Sequence, residues 1–148
     1  MNRMCAAIVS LALLSAAPGC VTQARQPKLL NAMIDPGTLY PGQEKALITV
    51  EVQDDRHGII DRIEWRVDGY PEYVFELRDD GAQGDEAAGD GVWSMLVDVP
   101  FNTPKGEFTL HLAAYDSEGR PIMVRDPEAG SVPLTTAFTA VVEYASER

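Results

Sequence analysis

Five acidic residues and no basic residue lie between Asp79 and Asp90, interleaved with glycines. Hard cations such as Ca²⁺ take about six to eight oxygen ligands, and glycines let a short chain curl so that carboxylates converge. The spacing is not that of an EF-hand. The alternative is a long loop between strands, in which aspartates cap turns and glycines adopt positive φ. The sequence leaves both interpretations open, and the candidate calcium ligands are Asp79, Asp80, Asp85 and Asp90.

The second residue with chemistry of its own is Cys20. Residues 5–14 are apolar except for Ser10 and follow a short segment that contains Arg3, a pattern typical of a signal peptide. Residues 15–19 are small, and Cys20 comes directly after them, which resembles the lipobox of bacterial lipoproteins, with Ala17 where leucine is usual. We therefore expect a signal peptide over 1–19 and lipidation of Cys20.

Two alternatives to lipidation are open. The first is ordinary secretory cleavage after Ala17, but it would place Pro18 directly after the cut bond, where secretory peptidases disfavour proline. The second is an uncleaved anchor helix, which would need a longer apolar run. Cys5 would leave with the signal, so Cys20 would have no intrachain partner, and lipidation explains such a lone cysteine. Val21 follows Cys20, which resembles the Gram-negative pattern for the outer membrane. The expected location is the cell envelope, lipid-anchored.

No residues in the sequence form a recognisable catalytic set. His57 falls in a predicted turn and His111 on the outward side of a predicted strand, without metal-ligand spacing between them. The serines form no nucleophile elbow, and no carboxylate pair is singled out. We therefore expect a protein that is not an enzyme, and a small hydrolase is the weakest of the alternatives.

The formal net charge is −11 over 148 residues, and loss of residues 1–19 removes only Arg3 among charged groups, which makes it −12. Such a chain repels phosphate backbones and anionic lipid headgroups. We expect no nucleic-acid partner, and expect membrane attachment only through the lipidated Cys20.

The elements that position these residues are short strands. Apolar residues alternate with polar ones at a period of two, which predicts half-buried strands. Turn residues such as Asp68-Gly69 separate the runs. The predicted strands are 29–34, 46–53, 62–67, 73–78, 93–99, 108–114 and 138–144. Tyr73 and Tyr144 lie on the predicted inward faces of their strands.

About seven strands without an amphipathic helix predict an all-β fold, an antiparallel β-sandwich. The chain divides into the signal 1–19, a lipidated cysteine and tether 20–28, and the domain 29–148. Residues 123–133 are predicted to be a long loop. Trp65 lies on an inward strand face and is predicted to be a core residue, whereas Trp93 is either a core residue or an aromatic that closes the acidic loop.

The sequence resembles bacterial immunoglobulin-like domains of the choice-of-anchor type. These carry an Asp-Asp-Gly…Gly-Asp…Ala-Gly-Asp-Gly-aromatic-Ser block, which is matched here by residues 79–94. The resemblance covers roughly residues 41–121 and implies an immunoglobulin-like antiparallel β-sandwich of about seven strands. It says little about function, because such folds host many roles.

The sequence thus favours a membrane-anchored, extracytoplasmic, non-catalytic binding or structural module. The alternative is a calcium-stabilised carbohydrate- or polymer-binding domain. Its expected partners are an envelope protein or a polysaccharide, and Ca²⁺ is the one cofactor considered. An exposed aromatic row would favour carbohydrate, and an exposed apolar patch would favour a protein partner.

Overall fold

A computed structural model describes residues 25–145, which contain ten β-strands and no helix. The predicted all-β fold is confirmed, although with more strands than the expected seven. No helix in this part of the chain could span a membrane. The strands are β1 (Lys28–Asp35), β2 (Thr38–Leu39), β3 (Ala46–Gln53), β4 (Arg62–Val67), β5 (Tyr70–Leu77), β6 (Val92–Val97), β7 (Gly106–Tyr115), β8 (Met123–Asp126), β9 (Gly130–Pro133) and β10 (Thr135–Val142).

The strands form a sandwich of two unequal sheets. The smaller sheet has the order β1-β3-β6 and the larger has the order β2-β10-β7-β4-β5. In immunoglobulin-like sandwiches strands A, B and E likewise share one sheet, and strands G, F and C share the other. The strand order therefore agrees with the predicted sandwich.

The core follows the alternation of the sequence. Ala46, Ile48 and Val50 of β3 are fully buried, while the residues between them are half-buried on the outer face. Trp65 of β4 is 6% exposed and stacks on Phe75 of β5 with ring centroids 4.4 Å apart. Full burial of one such side chain contributes about 1.5–3 kcal/mol. Trp65 is therefore a core residue, as predicted.

Tyr73 of β5, predicted to face inward, is 54% exposed. β5 is the edge strand of the five-stranded sheet, and the facing sheet has only three strands. Three strands cannot cover both edges of five, so the inner face of β5 is left partly open. Tyr144, also predicted to lie on an inward strand face, is 57% exposed and follows the end of β10.

The predicted long loop over 123–133 is wrong, because this stretch contains the β8–β9 hairpin. Its turn is held by Asp126, whose Oδ1 accepts hydrogen bonds from the backbone N–H groups of Glu128 and Ala129, both at 2.8 Å. Buried Ile122 and Leu134 flank the hairpin and join its base to the sandwich.

The sandwich is antiparallel apart from one pair of strands. β2, which no pattern in the sequence predicts, pairs in parallel with the end of β10. It has only two residues, too few to show a period of two, but the side chain of Leu39 is 5% exposed and belongs to the core.

Candidate metal centre in the acidic loop

The acidic loop, defined here as residues 78–91, joins β5 to β6. Its first residue, Arg78, exchanges two backbone hydrogen bonds with Ser94 of β6, at 3.1 and 2.8 Å. The N–H group of Leu96 donates to the carbonyl of Gln83 at 3.2 Å. The loop thus covers part of the free edge of β6, and Ser94 beneath it is 4% exposed.

Gly84 lets the loop lie directly on the smaller sheet. Its φ is +100°, and a Cβ atom there would come within 2.8 Å of side-chain carbons of both Leu47 and Leu96. A non-glycine side chain would therefore meet strain and a clash together. The sequence marks this glycine only as one of several in the loop, since the close approach depends on the fold.

Three of the predicted ligands also act as caps of the loop backbone. Asp79 Oδ1 accepts hydrogen bonds from the N–H groups of Gly89 at 2.7 Å and Asp90 at 3.2 Å, and its Oδ2 accepts one from Gly91 at 3.1 Å. Asp80 and Asp90 each accept a hydrogen bond from the N–H group two residues later. These bonds are the ones expected of a self-capped turn.

Asp85 does not fit the description of a cap alone. It is 6% exposed, one of two buried polar residues in the described chain, and its Oδ2 accepts a 2.6 Å hydrogen bond from the N–H group of Gly81. Its Oδ1 is buried and has no hydrogen-bond partner among the described residues. A buried, unpaired carboxylate oxygen is costly, and therefore calls for a partner such as a cation.

The fold brings Asp79, Asp85 and Asp90 together. One carboxylate oxygen from each lies within 4.8 Å of those of the other two. Asp80, the fourth predicted ligand, is outside this group, and its carboxylate lies 4.0 Å from the guanidinium of Arg78. The site that the structure supports therefore has three of the four predicted side chains.

The negative charge of the three carboxylates is not neutralised by an ion pair among the described residues. Within residues 25–145, no ion pair involves Asp79, Asp85 or Asp90. Three carboxylates this close repel one another. A divalent cation between them would attract all three and offset that repulsion. Oxygen donors alone are the ligand set that Ca²⁺ prefers, whereas structural zinc sites are built mainly from histidine and cysteine.

Trp93 combines the two roles that the sequence left open. It is half-buried and packs against the core, and it also lines a crevice with Asp79, Gly89 and Gly91. The loop is fixed beside it because the N–H group of Val52 donates to the carbonyl of Gly91 at 2.8 Å.

The remaining candidate residues lie apart from the acidic loop or outside the described chain. His57 and His111 are both exposed, in agreement with their predicted surface positions. The predicted signal 1–19 and the lipidation site Cys20 lie outside the described residues, so lipidation stays a prediction. An apolar cleft between the sheets was not predicted. Its only signal in the sequence is the lack of a strand pattern between residues 78 and 91.

No protein-family model matches this chain, and none of the curated proteins is significantly similar to it.

Proposed function

We propose that this protein is a lipid-anchored, non-catalytic module of the cell envelope, whose acidic loop binds one Ca²⁺ ion through Asp79, Asp85 and Asp90. The single observation that carries the calcium site is the buried Oδ1 of Asp85, which lacks a hydrogen-bond partner beside two further carboxylates. Self-capping of the loop explains the hydrogen bonds of Asp79 and Asp90, but it leaves this oxygen unexplained.

The cation that suits the group is Ca²⁺ rather than Mg²⁺. The three carboxylates are on one irregular loop, and Asp79 keeps both oxygens engaged with backbone N–H groups. Ca²⁺ accepts variable geometry and carbonyl ligands, whereas Mg²⁺ demands a near-octahedral shell and dehydrates reluctantly. We expect a weak extracellular type of site, with a Kd of roughly 0.1–1 mM.

Calcium would fix the connection between the two sheets. The acidic loop leaves β5 in the larger sheet and lies along β6 in the smaller one, so an ion that holds Asp79, Asp85 and Asp90 together also restrains the loop. Such a role is structural, and it suits a module that presents a surface outside the cytoplasm, where calcium is abundant.

The anchor is proposed from the lone Cys20 behind a signal-like run. The Gln26 side chain is tied to the domain by two hydrogen bonds with the backbone of Arg125, at 2.8 and 2.7 Å. From Cys20 to Gln26 the chain can reach at most about 20 Å when extended. A lipid on Cys20 would therefore hold the domain close to the bilayer.

The test of the calcium site is a melting curve of the chain from residue 20, carrying Cys20→Ser, in chelator, Mg²⁺ and Ca²⁺. A free calcium concentration of about ten times the Kd stabilises the folded state by about 1.4 kcal/mol. We expect calcium to raise the Tm by about 3–8 °C and magnesium to raise it less. Asp85→Asn should abolish the difference between the Tm in calcium and the Tm in magnesium. The Tm of this variant without metal should not fall, because repulsion among the three carboxylates is relieved.

Asp80→Asn is the matched control, since Asp80 belongs to the same loop but lies outside the three-carboxylate group. It should keep the calcium-specific shift. Equal midpoints in calcium and magnesium for the unsubstituted loop would mean that the block is a self-capped turn and binds no metal selectively.

A further inference from the structure

An apolar cleft of about 570 Å³ opens between the two sheets. It reaches core residues such as Trp65, and Tyr73 lies at its rim. Its volume falls within the range of about 300–1,000 Å³ that is typical of small-molecule sites. Its walls include Phe75, Met95 and Val97.

The cleft exists because the smaller sheet ends at β6. In constant-type immunoglobulin-like sandwiches a fourth strand, D, lies beside strand E in that sheet. Here the chain between β5 and β6 forms the acidic loop instead. The inner face of β5 therefore has no strand opposite it, and the space between β5 and β6 stays open.

The edges of the cleft disfavour an added peptide strand. Part of the free edge of β6 is covered by the acidic loop through Ser94 and Leu96. The edge strand β5 carries Pro71 and Glu72, residue types that block strand addition. These features favour a small molecule over an extended peptide as the occupant.

The polar groups that line the cleft favour a positively charged small molecule. Among the described residues that line it, Asp98 alone carries a charge, and its Oδ1 accepts a 2.9 Å hydrogen bond from the N–H group of Lys45. Tyr70 and Tyr73 line the same cleft and are 42% and 54% exposed, and aromatic rings of this kind attract cations. The net charge of −11 disfavours an anion further.

We propose that this cleft binds a cationic amphiphile, a molecule with an apolar body and an ammonium group. The apolar body lies between the sheets beside Trp65, and the ammonium group lies near the carboxylate of Asp98. The proposal is independent of the calcium site, because none of Asp79, Asp85 or Asp90 lines the cleft.

The test uses three probes with one octyl chain and different heads: octyltrimethylammonium, 1-octanol and octanoate. The chain from residue 20 with Cys20→Ser contains every described strand, and Trp93→Phe leaves Trp65 as its only tryptophan. Binding is then followed by the fluorescence of Trp65. We expect octyltrimethylammonium to bind at least about tenfold more tightly than octanoate, with 1-octanol between them.

Two variants locate the site. Asp98→Asn keeps the oxygen that Lys45 contacts, and it should reduce the preference for the cation to less than about threefold while 1-octanol binding is unchanged. Val67→Phe should fill the cleft and weaken all three probes. Val74→Phe is its control, because Val74 is 44% exposed on the neighbouring strand and does not line the cleft.

Three results would overturn the proposal. They are binding of octanoate as tight as that of the cation, no saturable binding of any probe below about 5 mM, and a dimer in light scattering whose dissociation exposes Trp65. The last result would show that a second copy of the chain fills the cleft.

Discussion

At the scale of the residue, Asp85 and Gly84 are neighbours with different tasks. Asp85 places a carboxylate under the loop, and Gly84 lets the backbone approach the smaller sheet closely enough for that burial. The sequence predicted Asp85 as one of four equivalent candidates. It could not single out Asp85, because burial and the missing hydrogen-bond partner depend on how the loop folds back.

Gly84→Ala should destabilise the domain by about 2–4 kcal/mol, because a Cβ would clash with Leu47 and Leu96 at a positive φ. Gly89→Ala is the matched control in the same loop, with φ of +75° and no atom of a non-adjacent residue within 4 Å of its Cβ position. It should cost only about 1–2 kcal/mol. Urea unfolding of both variants measures the difference, and equal losses would contradict the packing described for Gly84.

At the scale of the element, the turn after β7 has its own pH dependence. Hydrogen bonding from the backbone N–H of Arg120 lowers the pKa of Asp116, and the side chain of Arg120 and the N–H of Glu118 act in the same direction. Because this pKa is lowered, ionised Asp116 stabilises the fold at every pH above the ordinary aspartate pKa of about 3.9. That contribution is lost as the pH falls through the lowered pKa.

We therefore expect the carboxyl carbon of Asp116 to titrate below its ordinary value in an NMR pH series. Asp126 should behave in the same way, because the N–H groups of Ala129 and Glu128 lower its pKa. Asp116→Asn should make stability less sensitive to acid. Titration of Asp116 at or above its ordinary value would mean that the turn is not formed as described.

The strands also show where sequence patterns are sufficient. β3 and β4 alternate regularly, and their predicted limits, 46–53 and 62–67, are the observed ones. The β8–β9 hairpin escaped prediction, because each strand has four residues and Val124 and Val132 are their only half-buried apolar residues. Such short strands are fixed by the turn at Asp126 and by the buried residues at their base.

At the scale of the whole molecule, the unequal number of strands in the two sheets leads to both proposed sites. The fold class follows from the period of two, but the size of each sheet depends on long-range pairing that no local pattern contains. The acidic loop takes the place of a fourth strand beside β6. This one segment therefore supplies the three carboxylates and also leaves the apolar cleft uncovered.

Attachment to the membrane is also a property of the whole molecule. Cys20→Ser should move the protein from the membrane fraction to the soluble fraction, because its acidic surface has no attraction for anionic headgroups. Fractionation with a salt wash, followed by immunoblotting, measures this. A serine variant that still sediments with membranes would contradict lipidation as the anchor.

The most direct measurement of the central claim is a calcium titration of the ¹⁵N-labelled chain followed by amide NMR. The N–H groups of Gly81, Gly89 and Gly91 donate to oxygens of Asp85 and Asp79, so they report on the three-carboxylate group itself. We predict that these three signals shift together and saturate with one Kd of roughly 0.1–1 mM. Magnesium should shift them less, and Asp85→Asn should abolish the saturation. Signals that do not move, or that move linearly and equally with both cations, would contradict a calcium site in this loop.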